Sequence, residues 1–169
     1  MKKQLFIILI ACFSLTVTAT ATQAQTTEKQ ATVHIDGEVT SPLAINDADL
    51  QKFTQTTVVR KDKDGHDHTY SGVLLADILK KAGVTLGSDL KGKNLTKCLL
   101  ITASDNYQVI FALAELDKAY TDRIIILADQ MDGKPLPTGD GPFRVIIQDE
   151  KKPARCIKQV TGMKVLFAK

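Results

Sequence analysis

The densest run of chemically capable side chains is VVRKDKDGHDHTYSGV at residues 58–73, which holds three aspartates and two histidines. His66 and His68 stand two apart, so on a strand they share a face and could chelate a cation. Asp62, Asp64 or Asp67 would add oxygen donors, and a mixed His/Asp set suits zinc, copper or another first-row metal. A structural zinc site needs four ligands, whereas this segment offers two strong ones, so a charged, wet hairpin tip competes with the metal reading. DKDGHD also has the look of a calcium loop, but the twelfth position from Asp62 is Val73, where a bidentate Glu is required.

Three basic residues form a second group of candidates. Gly141-Pro142 makes a rigid corner, and Arg144 just beyond it could offer a planar, five-donor fork to an anion or a ring. Arg155 and Lys158 lie three apart; on a strand they face opposite sides, so one pocket takes one of them. For each, a solvated or salt-bridged surface position is the competing reading. Ser104-Asp105 lacks the setting of a nucleophile elbow, and Glu115 and Asp117 read as solvated acids in a short helical turn. Cys98 and Cys156 each fall in an apolar strand, where a buried thiol behaves as a small hydrophobe; in an oxidising compartment the two could instead pair.

The elements that must position these groups follow from periodicity. ATVHIDG (31–37) alternates as a strand. Asn46 or Asp47 can cap a short helix over the residues that follow. TQTTVVRK (54–61) and HDHTYSG (66–72) form a hairpin around DKDG. VLLADILKKAG (73–83) carries an apolar stripe of Leu74, Leu75, Ile78, Leu79 and Ala82, ends in lysines and has Gly83 as a cap, so it reads as the clearest helix. Further strands are expected at 95–103, 107–113, 123–129, 143–149, 154–160 and 163–167. RIIILAD (123–129) is apolar throughout, as a strand buried on both faces would be. Eight or nine strands with two or three short helices, not in regular alternation, predict an α+β fold with a mixed, largely antiparallel, barrel-like sheet.

Residues 1–24 read as a secretory leader: Lys2 and Lys3, an apolar run from Leu5 to Ala19, then ATATQA. The run is shorter than the ~20 residues of a bilayer span. Leu9-Ile10-Ala11-Cys12 resembles a lipobox, so a lipoprotein anchored through Cys12 is the alternative, and the one route to a membrane. Residues 25–31 read as a polar tether, and 32–167 as a single domain. Beyond the leader, 20 basic and 19 acidic residues remain. That balance does not provide a nucleic-acid surface. A periplasmic or secreted location is expected.

Several stretches, in order, carry a resemblance: DGEVTSPLAINDADL (36–50), SGVLLADILKKAGV (71–84), ITASDNYQVIFALAELD (101–117), IILADQMDGKPLPTGDGPFRVII (125–147) and ARCIKQVTGMKV (154–165). Together they resemble the molybdopterin-binding oxidoreductase domain of the sulfite oxidase family. The resemblance implies that family's α+β fold and a possible molybdopterin cofactor. It places Arg144 and Lys158 near the cofactor, with Asp105, Tyr107 and, less strongly, Arg155 as further binding candidates. It also implies oxygen-atom chemistry at a molybdenum held by one protein thiolate. The family's cysteine belongs in the loop that is here residues 58–73, and that loop contains no Cys. Trp residues of the pattern are replaced by the Tyr70-Ser71 pair and by Gln159. A soft sulfur ligand has no hard substitute. The expectation is therefore a non-catalytic ligand-binding or accessory module for a small-molecule or pterin-like ligand. The alternatives are an oxidoreductase that keeps the cofactor without a Cys ligand, and a Zn/Cu site at His66 and His68.

Overall fold

The computed structural model describes residues 30–168; the expected leader, with Cys12, and most of the tether lie outside the described residues. The described residues form ten strands, several of them with apolar side chains recurring every second residue: β1 (Val33–Gly37), β2 (Leu43–Ile45), β3 (Gln55–Lys61), β4 (Asp67–Leu74), β5 (Lys97–Ala103), β6 (Gln108–Ala112), β7 (Ile125–Met131), β8 (Lys134–Pro135), β9 (Arg144–Ile147) and β10 (Val160–Phe167). Two short helices interrupt them, α1 (Asp47–Leu50) and α2 (Leu75–Lys81), along with four single 3-10 turns. This is the α+β arrangement that the sequence predicts.

The strands form two sheets. One runs β2-β1-β10-β5-β6, antiparallel except where β1 and β10 lie parallel. The other runs β3-β4-β7-β8, with β9 also pairing β7. The main core is shared by both: Val33 and Ile35, Leu99 and Ile101, Met163 and Val165 from the first sheet meet Val73, Leu127, Val145 and Ile147 from the second. A smaller cluster of Val58, Tyr70, Ile126, Ala128, Leu136 and Ile146 covers the opposite face of the second sheet. β7 contributes alternate residues to each cluster, which is why its sequence is apolar without a break.

α2 begins at Leu75 rather than at 73. Val73 and Leu74 are still ladder residues, paired with Leu127 and Ile126 of β7. Leu75, Ile78, Leu79 and Ala82 are fully buried, each of the larger ones contributing ~1.5–3 kcal/mol of burial. Gly83 closes the helix at φ +72, the left-handed value that favours glycine. α1 has the capping box that its sequence allows, with the Asn46 side chain accepting from the Asp49 amide at 2.9 Å. At the β4–β7 bulge a Cβ on Gly72 would lie 2.1 Å from the Leu127 carbonyl oxygen, so the ladder closes only on glycine.

The strand expected at 154–160 does not form. Pro153 starts a 3-10 turn over Pro153–Arg155, and Gln159 takes φ +50 before β10 begins at Val160. Cys156 and Ile157 are both buried in succession, against the alternation of a strand.

Candidate functional site

Arg144 is the first residue of β9, and the pleat sends it to the same face as Ile146, away from Val145 and Ile147. On that face it meets Tyr70 of β4 and lies near Asp62 in the turn after β3. Its guanidinium is buried. Nη1 donates to Tyr70 Oη at 2.8 Å and to Asp140 Oδ2 at 2.8 Å, and lies 3.5 Å from Asp62 Oδ2. Tyr70 in turn donates to Asp62 Oδ2 at 2.6 Å. The guanidinium also stands over the Tyr70 ring, 5.3 Å from its centre. Burial first, then the Asp62 acceptor, push the Tyr70 hydroxyl well above the ordinary phenol range.

Arg60 is a second buried guanidinium on this face, two residues after Val58. Nη1 donates to the carbonyls of Ile147 at 3.0 Å and Glu150 at 2.9 Å, and Nε lies 3.5 Å from Asp62 Oδ1. The Nε atoms of both arginines are buried without a hydrogen-bond partner. Asp62 thus sits between two cations and a phenol. Asp140 bridges outward, with Oδ1 2.5 Å from Lys158 Nζ.

Asp62, Arg144 and Lys158 of this network line a cavity of about 480 Å3. Lys63, Arg144, Lys152 and Lys158 supply four cationic side chains to its lining, against the carboxylates of Asp62 and Asp64. A second cavity of about 340 Å3 shares Pro153, Ala154, Cys156 and Lys158 with it and adds Asp105 and Tyr107. Asn106 turns the chain there at φ +67, while Asp105 Oδ1 accepts from the Tyr107 amide at 2.9 Å and the Tyr107 hydroxyl donates to the Ala154 carbonyl at 3.1 Å. Four candidates from the sequence, Arg144, Lys158, Asp105 and Tyr107, therefore meet around paired cavities.

The fifth does not. Arg155 donates from Nε and Nη2 to the two Glu150 carboxylate oxygens at 3.0 and 2.9 Å, and from Nη1 to Glu115 Oε2 at 3.0 Å, and it stacks over Phe111. Its charge is spent on structure, and it lines neither cavity. Glu115 and Asp117 are correspondingly not solvated acids: Glu115 holds Arg155, and buried Asp117 accepts from the backbone amides of Gly87 and Ala119.

Of the two hairpin histidines, His68 is engaged by carboxylates. His68 lies between two carboxylates, Nδ1 2.6 Å from Asp132 Oδ2 and Nε2 2.9 Å from Asp64 Oδ2. Those contacts, Asp132 first, raise its pKa to about 9, which favours the protonated ring where no metal competes for it. His66 precedes the strand and points into solvent. Among the described residues no group of three or more His, Cys, Asp or Glu side chains is arranged to hold a metal.

Both described cysteines are free thiols. Cys98 belongs to β5, as expected. Cys156 does not belong to a strand; it follows the 3-10 turn and lines both cavities, close enough to Arg60 and Arg144 to feel their charges. Burial outweighs those charges and raises its pKa, which leaves a neutral thiol with 3% of its surface exposed. Sequence reasoning missed Asp62, Tyr70, Asp140 and Cys156 as members of the site. The placement of Arg60 two residues after Val58 in β3 was the available signal for a buried cation on this face.

One mixed and one antiparallel sheet around a shared core, with a cleft lined by cationic side chains at the start of the β9 strand, frame this site. The model of the oxidoreductase molybdopterin binding domain matches residues 19–168, and the chain belongs to that family. No curated protein matches. The fold is similar to that in the crystal structure of the sulfane dehydrogenase SoxCD from Paracoccus pantotrophus, at TM-score 0.62 and 21% identity over 80% of this chain. The aligned region is 38% of that longer chain.

Proposed function

We propose that this chain is an exported binding or accessory module of the family, whose paired cavities hold a small anionic, pterin-like ligand without turnover at molybdenum. The carrying observation is the lining of the larger cavity: four cationic side chains around a single sulfur, and that sulfur a buried, neutral thiol. The anionic part of a molybdopterin fits these residues. The cavity lies within the ~300–1,000 Å3 usual for ligand pockets, and Lys63 and Lys152 stand at it beside the Lys158–Asp140 pair. The metal part fits poorly. Asp62 is already held by Tyr70 and the two arginines, and the Cys156 thiol would have to lose a proton against its burial.

One observation supports the rival reading, a molybdopterin-dependent oxidoreductase. The turn at residues 62–64 faces the same cavity as Arg144, and a thiol is present there, although from another part of the chain. If bound, the cofactor would supply the redox chemistry, and Arg144, Lys158 and Tyr107 would orient it. Native protein analysed for molybdenum and for bound small molecules decides between the two. The expected result is a small anion with no stoichiometric metal, retained less well by Lys158→Ala. One molybdenum per chain would overturn the proposal, and its loss in Cys156→Ser would establish the rival.

A further inference from the structure

On another side of the second sheet, the loop of residues 135–142 encloses a separate hollow of about 410 Å3 against α1 and β7. Two carboxylates, Asp47 and Asp129, line it, and no basic side chain does. Asp129 is 6% exposed. Gln51 Nε2 donates to its Oδ2 at 2.5 Å, while Oδ1 is buried with no partner. A buried carboxylate oxygen without a donor is costly, and a second carboxylate beside it adds repulsion. Burial first, then the charge and hydrogen bonding of the adjoining Asp47 carboxyl, push Asp129 above the ordinary carboxylate range. The hollow lacks a positive charge.

The remaining walls indicate what kind of cation fits. Pro135, Leu136, Pro137 and Pro142 make them largely apolar, with Thr138 as the one hydroxyl. A divalent metal is poorly served, because calcium takes 6–8 oxygen ligands and magnesium demands a near-ideal octahedron. An ammonium group needs only acceptors for its three N–H donors, and the two carboxylates and the hydroxyl provide them. A short hydrocarbon stem then lies against the proline wall. We propose that the hollow between Asp47 and Asp129 binds a small primary amine as its ammonium ion, independently of the Arg144 cavity.

The test is a titration of the folded protein with n-butylammonium chloride, followed by backbone amide shifts. Saturable shifts at Leu136, Thr138 and Gly141 are expected, with affinity at least tenfold weaker in Asp47→Asn and in the isosteric Asp129→Asn. Asp47 is exposed, so its variant keeps the fold and decides the question even if the buried substitution perturbs the protein. Absence of saturable shifts, undiminished binding in Asp47→Asn, equal shifts from the neutral isostere n-butanol, or tighter binding of calcium chloride at the same residues would each overturn the proposal.

Discussion

Tyr70→Phe isolates the hydroxyl that joins the two halves of the Arg144 network. The ring is fully buried and keeps its shape in the variant, so no cavity larger than one oxygen opens. Two hydrogen bonds disappear, one donated to Asp62 at 2.6 Å and one accepted from Arg144 at 2.8 Å. Each has a charged partner, and such bonds contribute ~1.5–3 kcal/mol apiece. Part of this is recovered: Asp140 still holds Arg144, and Asp62 already lies 3.5 Å from both arginines and can close on them. The expected net loss is therefore about 2–3 kcal/mol, a large share of the ~5–15 kcal/mol that stabilises an ordinary domain. Urea unfolding at pH 7 measures it as a lower midpoint at unchanged slope. A double-mutant cycle with Asp62→Asn should return a coupling above ~1 kcal/mol, because the two residues share one bond. A loss below ~0.5 kcal/mol, within the range of an ordinary surface change, would refute the claim that this hydroxyl bridges buried charges.

Three further outcomes follow from the geometry. His68 has its pKa raised to about 9 from an unfolded value of ~6.5, so its contribution to stability is complete below ~6.5 and lost as the pH climbs through 9; the unfolding midpoint should fall across that window in the native chain and stay flatter in His68→Gln, and a flat native profile would refute it. Iodoacetamide should label Cys98 at least ~10-fold faster than Cys156 in the folded protein, with the gap closing in denaturant, because the thiolate is the reactive form and burial suppresses it at Cys156; peptide mass spectrometry reads both, and equal native rates would contradict the buried placement. Gly72→Ala should cost at least ~3 kcal/mol, since its Cβ meets backbone that cannot move aside, whereas Gly65→Ala at the open hairpin tip should cost only the ~1–2 kcal/mol of a left-handed backbone; similar losses at the two positions would show that the ladder relaxes.

Local periodicity was enough to read most elements of this fold. The stripe of α2, the capping residue of α1, the DKDG hairpin and the doubly buried β7 all express constraints that act within a few residues. The 154–160 segment misled because its apolar spacing imitates a strand, while long-range anchors decide its path: Glu115 and Glu150 fix Arg155, and the Val145 amide donates to the Ile157 carbonyl. The same gap explains the site. Arg144 and Lys158 were readable through family likeness. The partners that define Arg144 come from 82, 74 and 4 positions away, at Asp62, Tyr70 and Asp140, and no local pattern brings those together. Spacing made His66 and His68 a candidate pair but says nothing about Asp132, which reaches His68 from the turn after β7.

The position of β10 has a consequence for how the protein reaches this state. It follows every other described strand in the chain, yet it lies in the middle of its sheet, parallel to β1 on one side and antiparallel to β5 on the other. Until residues 160–167 have been synthesised, β2-β1 and β5-β6 are two separate ribbons with unsatisfied edges, and isolated two-stranded ribbons are marginal in water. Assembly of this layer therefore waits until residues 160–167 are available, and a nascent polypeptide interrupted before that point lacks the strand that joins the two ribbons.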